Sequence, residues 1–600
     1  MADHQPQRPS MPPREQTITG DYESDHTLPV SEADDEEIQR YRTHESHGSQ
    51  QPPIEKVRSN FEEDLEGYRI RKVASKTVVF FGPDDPGDPA NWSKMRKAHV
   101  LIAGMLAVLN STFGSSIPSG AVPSIAKHYG VTSTIQQVLP ISLFLLGYVF
   151  GPLICGPLSE AYGRRPLLVI PFCCFALFTM ACALTPSWNA LLGFRFLLGL
   201  FGASPNAVVG GLYADVFTDP KTRGRVMATY MTSTAFGPVI APAISGYVST
   251  TIGWRWVFWI DLCFNGFTAP WIFLLPETYG PIILKRRAAQ LRKETGHNKI
   301  VSQFDIEDRR NLKKMAKVTL TRPMRMFVRE SIVLFTCLYL ALVYAIFYLF
   351  FQAYPLIFTD LYGMGSGKEG LMYLPIGGGV AIAGFMFVCY DRIYARAVER
   401  NAPWVQIEEY RRLPLACIGG PLYMVALFWL GWTSRADVPW VVPMLSGILF
   451  GMGFVLIFMA MLNYLSDAYE TFAASAQAMA SCARSVLAVV LPLATRPMFH
   501  RLGIDWGCSL LAFFSLAMSL IPFAFIKWGN SIRESSKFCQ ELKQLKEEEQ
   551  RFNEEIERSG SVVAGDESEE GVGGVDVNGQ EVNEDLEKGG VLAGRHHLSS

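Results

Sequence analysis

About twelve apolar segments, each near the length a helix needs to cross a hydrocarbon layer, run through this 600-residue chain and restrict it to a polytopic membrane fold. The segments fall near 99–122, 136–157, 167–186, 190–213, 226–250, 255–275, 331–358, 371–390, 413–432, 440–465, 472–494 and 506–528. The longest interruption, about 276–330, divides them six and six. Charge supports the same reading. Only 18% of residues are charged, against 49% hydrophobic, and the charges gather in the ends of the chain and in a few loops.

The loops set the orientation, because Lys and Arg collect on the cytoplasmic side. Loop 2–3 carries Arg164 and Arg165, loop 4–5 carries Lys221, Arg223 and Arg225, and the central loop carries Lys285, Arg286, Arg287, Arg292 and Lys293. Loop 8–9 carries Arg392, Arg396, Arg400, Arg411 and Arg412. The opposite loops hold little beyond Lys127, Lys368 and Arg435. Even-numbered loops and both tails are therefore expected in the cytoplasm. Loop 10–11, Ser466–Glu470, lacks positive charge and adds nothing to this rule. No basic, apolar leader precedes the first span, so no cleaved signal peptide is expected.

Residues 1–60 are rich in Gln, Pro, Ser, Glu and Asp, and 558–600 in Gly, Glu and Val, compositions that bury too little apolar surface to fold. The expected organisation is a disordered cytoplasmic tail (1–97), an N-terminal six-helix bundle (98–276), a basic central loop facing anionic lipid headgroups (277–330), a C-terminal six-helix bundle (331–528) and a cytoplasmic tail (529–600). A solvated helix is expected around Lys543–Arg551. Ten of the 11 cysteines lie in or beside apolar runs and read as small packing residues, not a disulfide framework.

Within the spans, small residues recur at four-residue spacing: Gly147 and Gly151; Gly199, Ala203, Ala207 and Gly211; Gly447 and Gly451. Such stripes let helix backbones approach closely. Span 5 adds Pro238 and Pro242, each of which removes a backbone donor and can bend the helix. A charge near the bilayer centre costs about 2.5–3.5 kcal/mol, so intramembrane charges tend to face a cavity or a partner. Arg195, Asp261 and Arg484 are the candidates. None of the 10 histidines lies mid-span, which argues against a His relay or a metal site there. No clustered His, Cys or carboxylates suggest an enzyme, no P-loop suggests an ATP-driven pump, and no cofactor is expected.

The turn Gly156-Pro-Leu-Ser-Glu-Ala-Tyr-Gly-Arg-Arg165 resembles the loop 2–3 motif of the major facilitator superfamily, with Ser159-Glu160 in its acidic region. Arg195-Phe-Leu-Leu-Gly199 is similar to the span 4 motif with a buried Arg. Gly237-Pro-Val-Ile-Ala-Pro-Ala-Ile-Ser-Gly246 resembles the span 5 antiporter motif, with Ala241 and Ser245 where glycines are common. Asp88-Pro-Ala-Asn-Trp-Ser93, Gly253-Trp-Arg-Trp256, Pro276-Glu-Thr-Tyr-Gly-Pro281 and Arg412-Leu-Pro414 look like the fungal twelve-span drug:proton antiporter group. The likeness covers roughly 78–538.

This resemblance implies an all-α membrane protein with the major facilitator fold, twelve transmembrane helices in two six-helix bundles. It implies a monomeric, proton-coupled exporter of small, largely apolar organic compounds in the plasma membrane, or alternatively a vacuolar or vesicle membrane, with no nucleic-acid partner. A polyamine exporter is the alternative, and an uptake permease the next. It further implies a cytoplasmic gate of Gly156, Glu160, Gly163, Arg164, Arg165 and Asp215, an antiporter motif of Gly237, Pro238, Pro242 and Gly246, and coupling or cavity roles for Arg195, Asp261, Arg484 and Asn110. The acidic first-span residue that serves coupling in some bacterial drug exporters is absent, and Asn110 is the only strongly polar side chain deep in that span.

Overall fold

The computed structural model describes residues 69–73, 76–82, 85–296, 300–302, 312–469, 472–536, 538–540 and 543–544. The first bundle is built from α1 (Lys94–Ser116), α3 (Thr134–Tyr162), α4 (Arg164–Leu184), α5 (Trp188–Val216), α6 (Pro220–Thr251) and α7 (Arg255–Phe273), with the short α2 (Val122–Tyr129) after α1. Helices α8 (Gly280–Thr295) and α9 (Leu312–Arg329) connect it to the second bundle. That bundle holds α10 (Ser331–Tyr354), α11 (Ser366–Leu371), α12 (Leu374–Glu399), α13 (Leu413–Thr433), α14 (Val441–Tyr469) and α15 (Ala473–Ser535). The 63-residue α15 is two helical arms that meet at Gly503, whose φ of 81° lies in the left-handed region open to glycine.

Among the described residues, nine helical stretches are long and apolar enough to cross a membrane, α15 supplying one of them with its two arms. Helices α6 and α7 are not in that set. Thr229, Thr232, Ser233 and Thr234 in α6, and Asp261, Asn265 and Thr268 in α7, dilute their apolar character. Both nevertheless pack inside the first bundle, so the architecture is consistent with the twelve expected spans.

The small-residue stripes meet each other. A Cβ at Gly147 would overlap the Leu200 amide, one at Gly151 would overlap Ala203, and one at Gly199 would overlap the Phe144 carbonyl. Helices α3 and α5 therefore touch backbone to backbone, a contact worth dispersion energy where lipid offers no hydrophobic drive. Gly379 and Gly451 serve the same purpose between α12 and α14.

The segment 69–97 departs from the expectation of an unstructured tail. Strands β1 (Arg69–Val73) and β2 (Lys76–Phe80) form a hairpin with Arg69 opposite Phe80, and β3 (Ile300–Ser302) of the central loop adds in parallel, Thr77 opposite Ile300. The physical reason is a small apolar core: buried Val79, Leu284, Ala288 and Ile300, with Phe81 and Leu291 against them. Beside it Arg287 grips both carboxylate oxygens of the buried Asp85, and the Gly87 N–H donates to Asp85 Oδ1 at 2.7 Å. Residues 1–68 and most of the charged C-terminal stretch lie outside the described residues.

Burial alone would raise the Asp85 carboxyl; hydrogen bonds from Arg287 and the Gly87 amide overcome it and hold the group below the ordinary carboxylate range. The hairpin's attachment is therefore present above the unfolded-state value near ~3.9 and is lost only as pH falls through the lower folded-state value. Arg287→Ala should weaken the attachment by about 2–3 kcal/mol, since it strands a buried carboxylate. Hydrogen exchange at the amides of 76–80 should then speed by roughly a factor of 30–150 at neutral pH, on the scale of 1.4 kcal/mol per tenfold.

Candidate functional site

Arg195 lies in α5 and is fully buried. Its Nε donates to the Pro140 carbonyl at 2.8 Å, and its two terminal nitrogens donate to the carbonyls of Gly114 and Ser115, both at 2.7 Å. The Phe144 ring closes over the guanidinium, 4.5 Å from Cζ. Why the two α1 carbonyls can accept follows from the sequence. Helix α1 ends at Ser116, so Gly114 and Ser115 are among its last carbonyls, and the donor four residues beyond Gly114 would be Pro118, which has no N–H. The cation also sits at the negative end of the α1 dipole.

Asp261 of α7 occupies the same buried layer, close enough to Arg195 for their charges to interact. Neither carboxyl oxygen has a hydrogen-bond partner among the described residues. Asn110 Nδ2 donates to Asn265 Oδ1 at 3.0 Å, and Asn265 Nδ2 donates to the Asp261 backbone carbonyl at 2.9 Å. A polar seam thus joins α1 to α7 inside the first bundle. Ser111 adds hydrogen bonds to the Tyr148 hydroxyl and the Gly202 carbonyl.

At the arginine-rich end, Gly163 turns the chain from α3 into α4 with φ of 99°. Arg164 donates from Nε to Asp215 at 3.2 Å and from a terminal nitrogen to Ser159 Oγ at 2.6 Å. Gly211 makes room for that guanidinium, which a Cβ would strike. Glu277 completes the arrangement: one oxygen accepts the Arg164 N–H at 2.8 Å and the other the Arg165 N–H at 3.2 Å. A carboxylate on the first amides of α4 satisfies orphan donors and meets the positive helix end. Arg165 does not pair with Asp215; it donates to the Phe273 carbonyl at 3.0 Å. Glu160 is exposed at this end, and Gly156 faces open space.

Between the bundles lies a cavity of about 1000 Å³. Its walls include Asn206 and Tyr230 from the first bundle and Tyr344, Phe347, Phe454 and Arg484 from the second, and its mouth lies among Glu160, Arg164, Arg411 and Arg412. Arg484 lines it; Arg195, Asp261 and Asn110 do not. The opposite end is shut. There Gly246 and Pro242 of α6 lie directly on Ser366, Gly367 and Gly370 of α11, so close that a Cβ on Gly246 or Gly370 would overlap the facing backbone. The Gly120 N–H donates to Ser245 Oγ at 3.1 Å, and Ser142 Oγ of α3 donates to the Val489 carbonyl of α15 at 3.3 Å. Higher in α6, Gly237 lies against Thr112 and Phe113 of α1, and Pro238 lines the cavity.

Several of these residues escaped sequence reasoning. Glu277 stands in Pro276–Pro281, but nothing local marks its reach back to Arg164. Arg412 pairs with Asp467 at 2.9 Å, and Arg533 pairs with Glu409, repeating in the second bundle what Arg164 and Asp215 do in the first. A comparison of the two halves around Arg164 and Arg412, each at the start of the third helix of its bundle, is the signal that could have found the pair.

Comparison with known proteins agrees with this geometry. The family model described as the Major Facilitator Superfamily matches residues 104–492. The chain is 36% identical over 466 residues to the efflux pump FUBT of Fusarium oxysporum, covering 77% of this chain and 78% of that protein. It is 37% identical over 459 residues to polyamine transporter 3 of Saccharomyces cerevisiae (76% and 72% covered), and 38% identical over 459 residues to the multidrug transporter TPO3 of Candida glabrata (76% and 71%). Among solved structures it is similar to the proton:xylose symporter XylE bound to 6-bromo-6-deoxy-D-glucose, with a TM-score of 0.53 at 16% identity, covering 72% of this chain and 97% of that one. XylE of E. coli in a partially occluded inward open conformation gives 0.51 at 17%, covering 72% and 99%. Fold, cavity and sequence together place the chain in the major facilitator superfamily, as a multi-pass membrane transporter and not an enzyme.

Proposed function

We propose that this transporter exports small, largely apolar organic compounds in exchange for protons, by alternating access, as a monomer. The observation that carries the reading is the aromatic cavity between the bundles, open on the arginine-rich side and shut by the α6–α11 contact at the other. The Lys and Arg bias supports a cytoplasmic location for the open side and both termini. Relatives named as efflux and multidrug transporters support the outward direction, and the plasma membrane is the expected location.

In this reading Asp261 carries the coupling proton. Its charge changes by one unit inside a layer where Arg195 is the nearby cation, and Arg195 ties that layer to α1 and α3. Each proton entering through a membrane potential contributes about 2.3 kcal/mol per 100 mV. Arg164, Asp215 and Glu277 brace the loop between α3 and α4 within the first bundle, with Gly156, Glu160, Gly163 and Arg165 around them, so that the loop meets the second bundle as one piece when the cytoplasmic side closes. The Gly237–Gly246 motif keeps the outer side sealed while the inner is open.

Cells expressing the chain should accumulate less of several fluorescent hydrophobic dyes than cells without it, and a protonophore should abolish the difference. Equal accumulation across the panel, with the protein at the cell surface, would sink the export reading. Asp261→Asn should lose uptake driven by a pH gradient into sealed vesicles, at least tenfold, yet keep substrate exchange across them. Retained gradient-driven uptake would remove Asp261 from coupling. Glu277→Gln should cut the transport rate by about ten- to a hundredfold, the value of a charged hydrogen bond on the gate equilibrium, with surface expression unchanged.

A further inference from the structure

Arg484 of α15 differs from Arg164, Arg412, Arg533 and Arg195 in and near the cavity. Arg164, Arg412 and Arg533 each hold a carboxylate at the mouth, and Arg195 spends its donors on three carbonyls. Arg484 makes one hydrogen bond, to Ser481 Oγ at 3.2 Å. No carboxylate lies within ion-pair reach of it among the described residues. A guanidinium offers five N–H donors in a planar fork, so most of its capacity is unspent. It stands over aromatic faces, with Cζ 5.4 Å from the Tyr344 ring and 6.0 Å from the Phe458 ring. Those rings leave the fork's hydrogen-bonding edge for something else.

The rest of the wall agrees. Among the described residues the cavity's carboxylates are Glu160 and Asp467, both at the mouth, and Asp467 is engaged by Arg412. Asp261, the one carboxyl expected to attract a cation, is buried inside the first bundle and does not reach the cavity. A polyamine entering here would meet an arginine with no deep anion to receive its ammonium groups. An acid would meet a two-pronged donor against apolar rings, where low dielectric strengthens the pair.

We propose that the cavity selects organic anions, compounds with an aromatic or apolar body and one ionised acid group, and that Arg484 receives that group while Tyr344, Phe347, Phe454 and Phe458 hold the body. The inference rests on the export reading for its physiological direction, but binding itself does not.

The test uses the full chain in detergent or nanodiscs and three probes with one ring system: 1-naphthoate, neutral 1-naphthamide and cationic 1-naphthylmethylammonium. Wild type should bind naphthoate at least tenfold tighter than the amide, and the ammonium more weakly than the amide. Arg484→Ala should bind acid and amide alike, losing much more affinity for the acid than for the amide, whose carbonyl forgoes only a weaker hydrogen bond; folding of the variant is checked by its unchanged melting temperature. Arg484→Lys should restore part of the preference for the acid. Equal binding of acid and amide by wild type, an undiminished acid preference in Arg484→Ala, or displacement of the amide by spermine at lower concentration than by naphthoate would each overturn the proposal. Anion-selective binding without dye export would leave it standing and defeat the export reading; dye export without anion preference would do the reverse.

Discussion

A guanidinium inside a helix bundle in lipid must find acceptors or destabilise the bundle, and Arg195 finds them on backbone. That choice organises the first bundle. The Gly114 carbonyl would be an orphan because Pro118 follows it, and the Ser115 carbonyl lies in the last turn of α1. One side chain from α5 therefore ends α1 and pins it to α3 through Pro140. The glycine stripe running on from Arg195 lets α5 and α3 approach closely enough for this reach, and at its far end Gly211 accommodates Arg164. A single helix face thus links the buried cation with Arg164 at the arginine-rich end.

The two halves solve the same problem twice. At the arginine-rich end, Arg164 reaches from the start of α4 to Asp215 at the end of α5, and Arg412 reaches from the start of α13 to Asp467 at the end of α14. In the first bundle a carboxylate following the sixth helix, Glu277, accepts from the start of α4; in the second an arginine near the end of the last helix, Arg533, meets Glu409 just before α13. Charge is inverted while position is kept. Arg225 of α6 and Asp391 of α12, at 4.0 Å, join the halves near this end.

What the sequence made legible was whatever local chemistry dictates. Hydropathy gave the spans, because crossing lipid demands one long apolar helix at a time. The resemblance of Gly156–Arg165 to the superfamily's loop motif, with Asp215 at the end of span 4, anticipated the Arg164–Asp215 pair. Contacts between distant segments were not legible. Val79 and Phe81 sit in a charged tail too short to bury them, and only the fold brings Leu284, Ala288 and Ile300 against them. Arg195 was readable as a buried charge, but its acceptors are carbonyls, which any residue carries. Arg484 and Asp261 looked alike as intramembrane charges, and only the packing put one on the cavity and the other behind it.

The contacts of Gly246 with Ser366 and of Pro242 with Gly370 join the halves through main chain, while the Tyr247 ring lies on Gly367 beside them. Such a junction has few rotamers to reset when it parts and few to search when it re-forms. It can be tight to water and ions and still open along a clean plane, like two flat plates and unlike interlocked teeth. The enlargement of Gly246 or Gly370 would act as a wedge, biasing the molecule toward a form open at that end without touching a charge or a cavity wall.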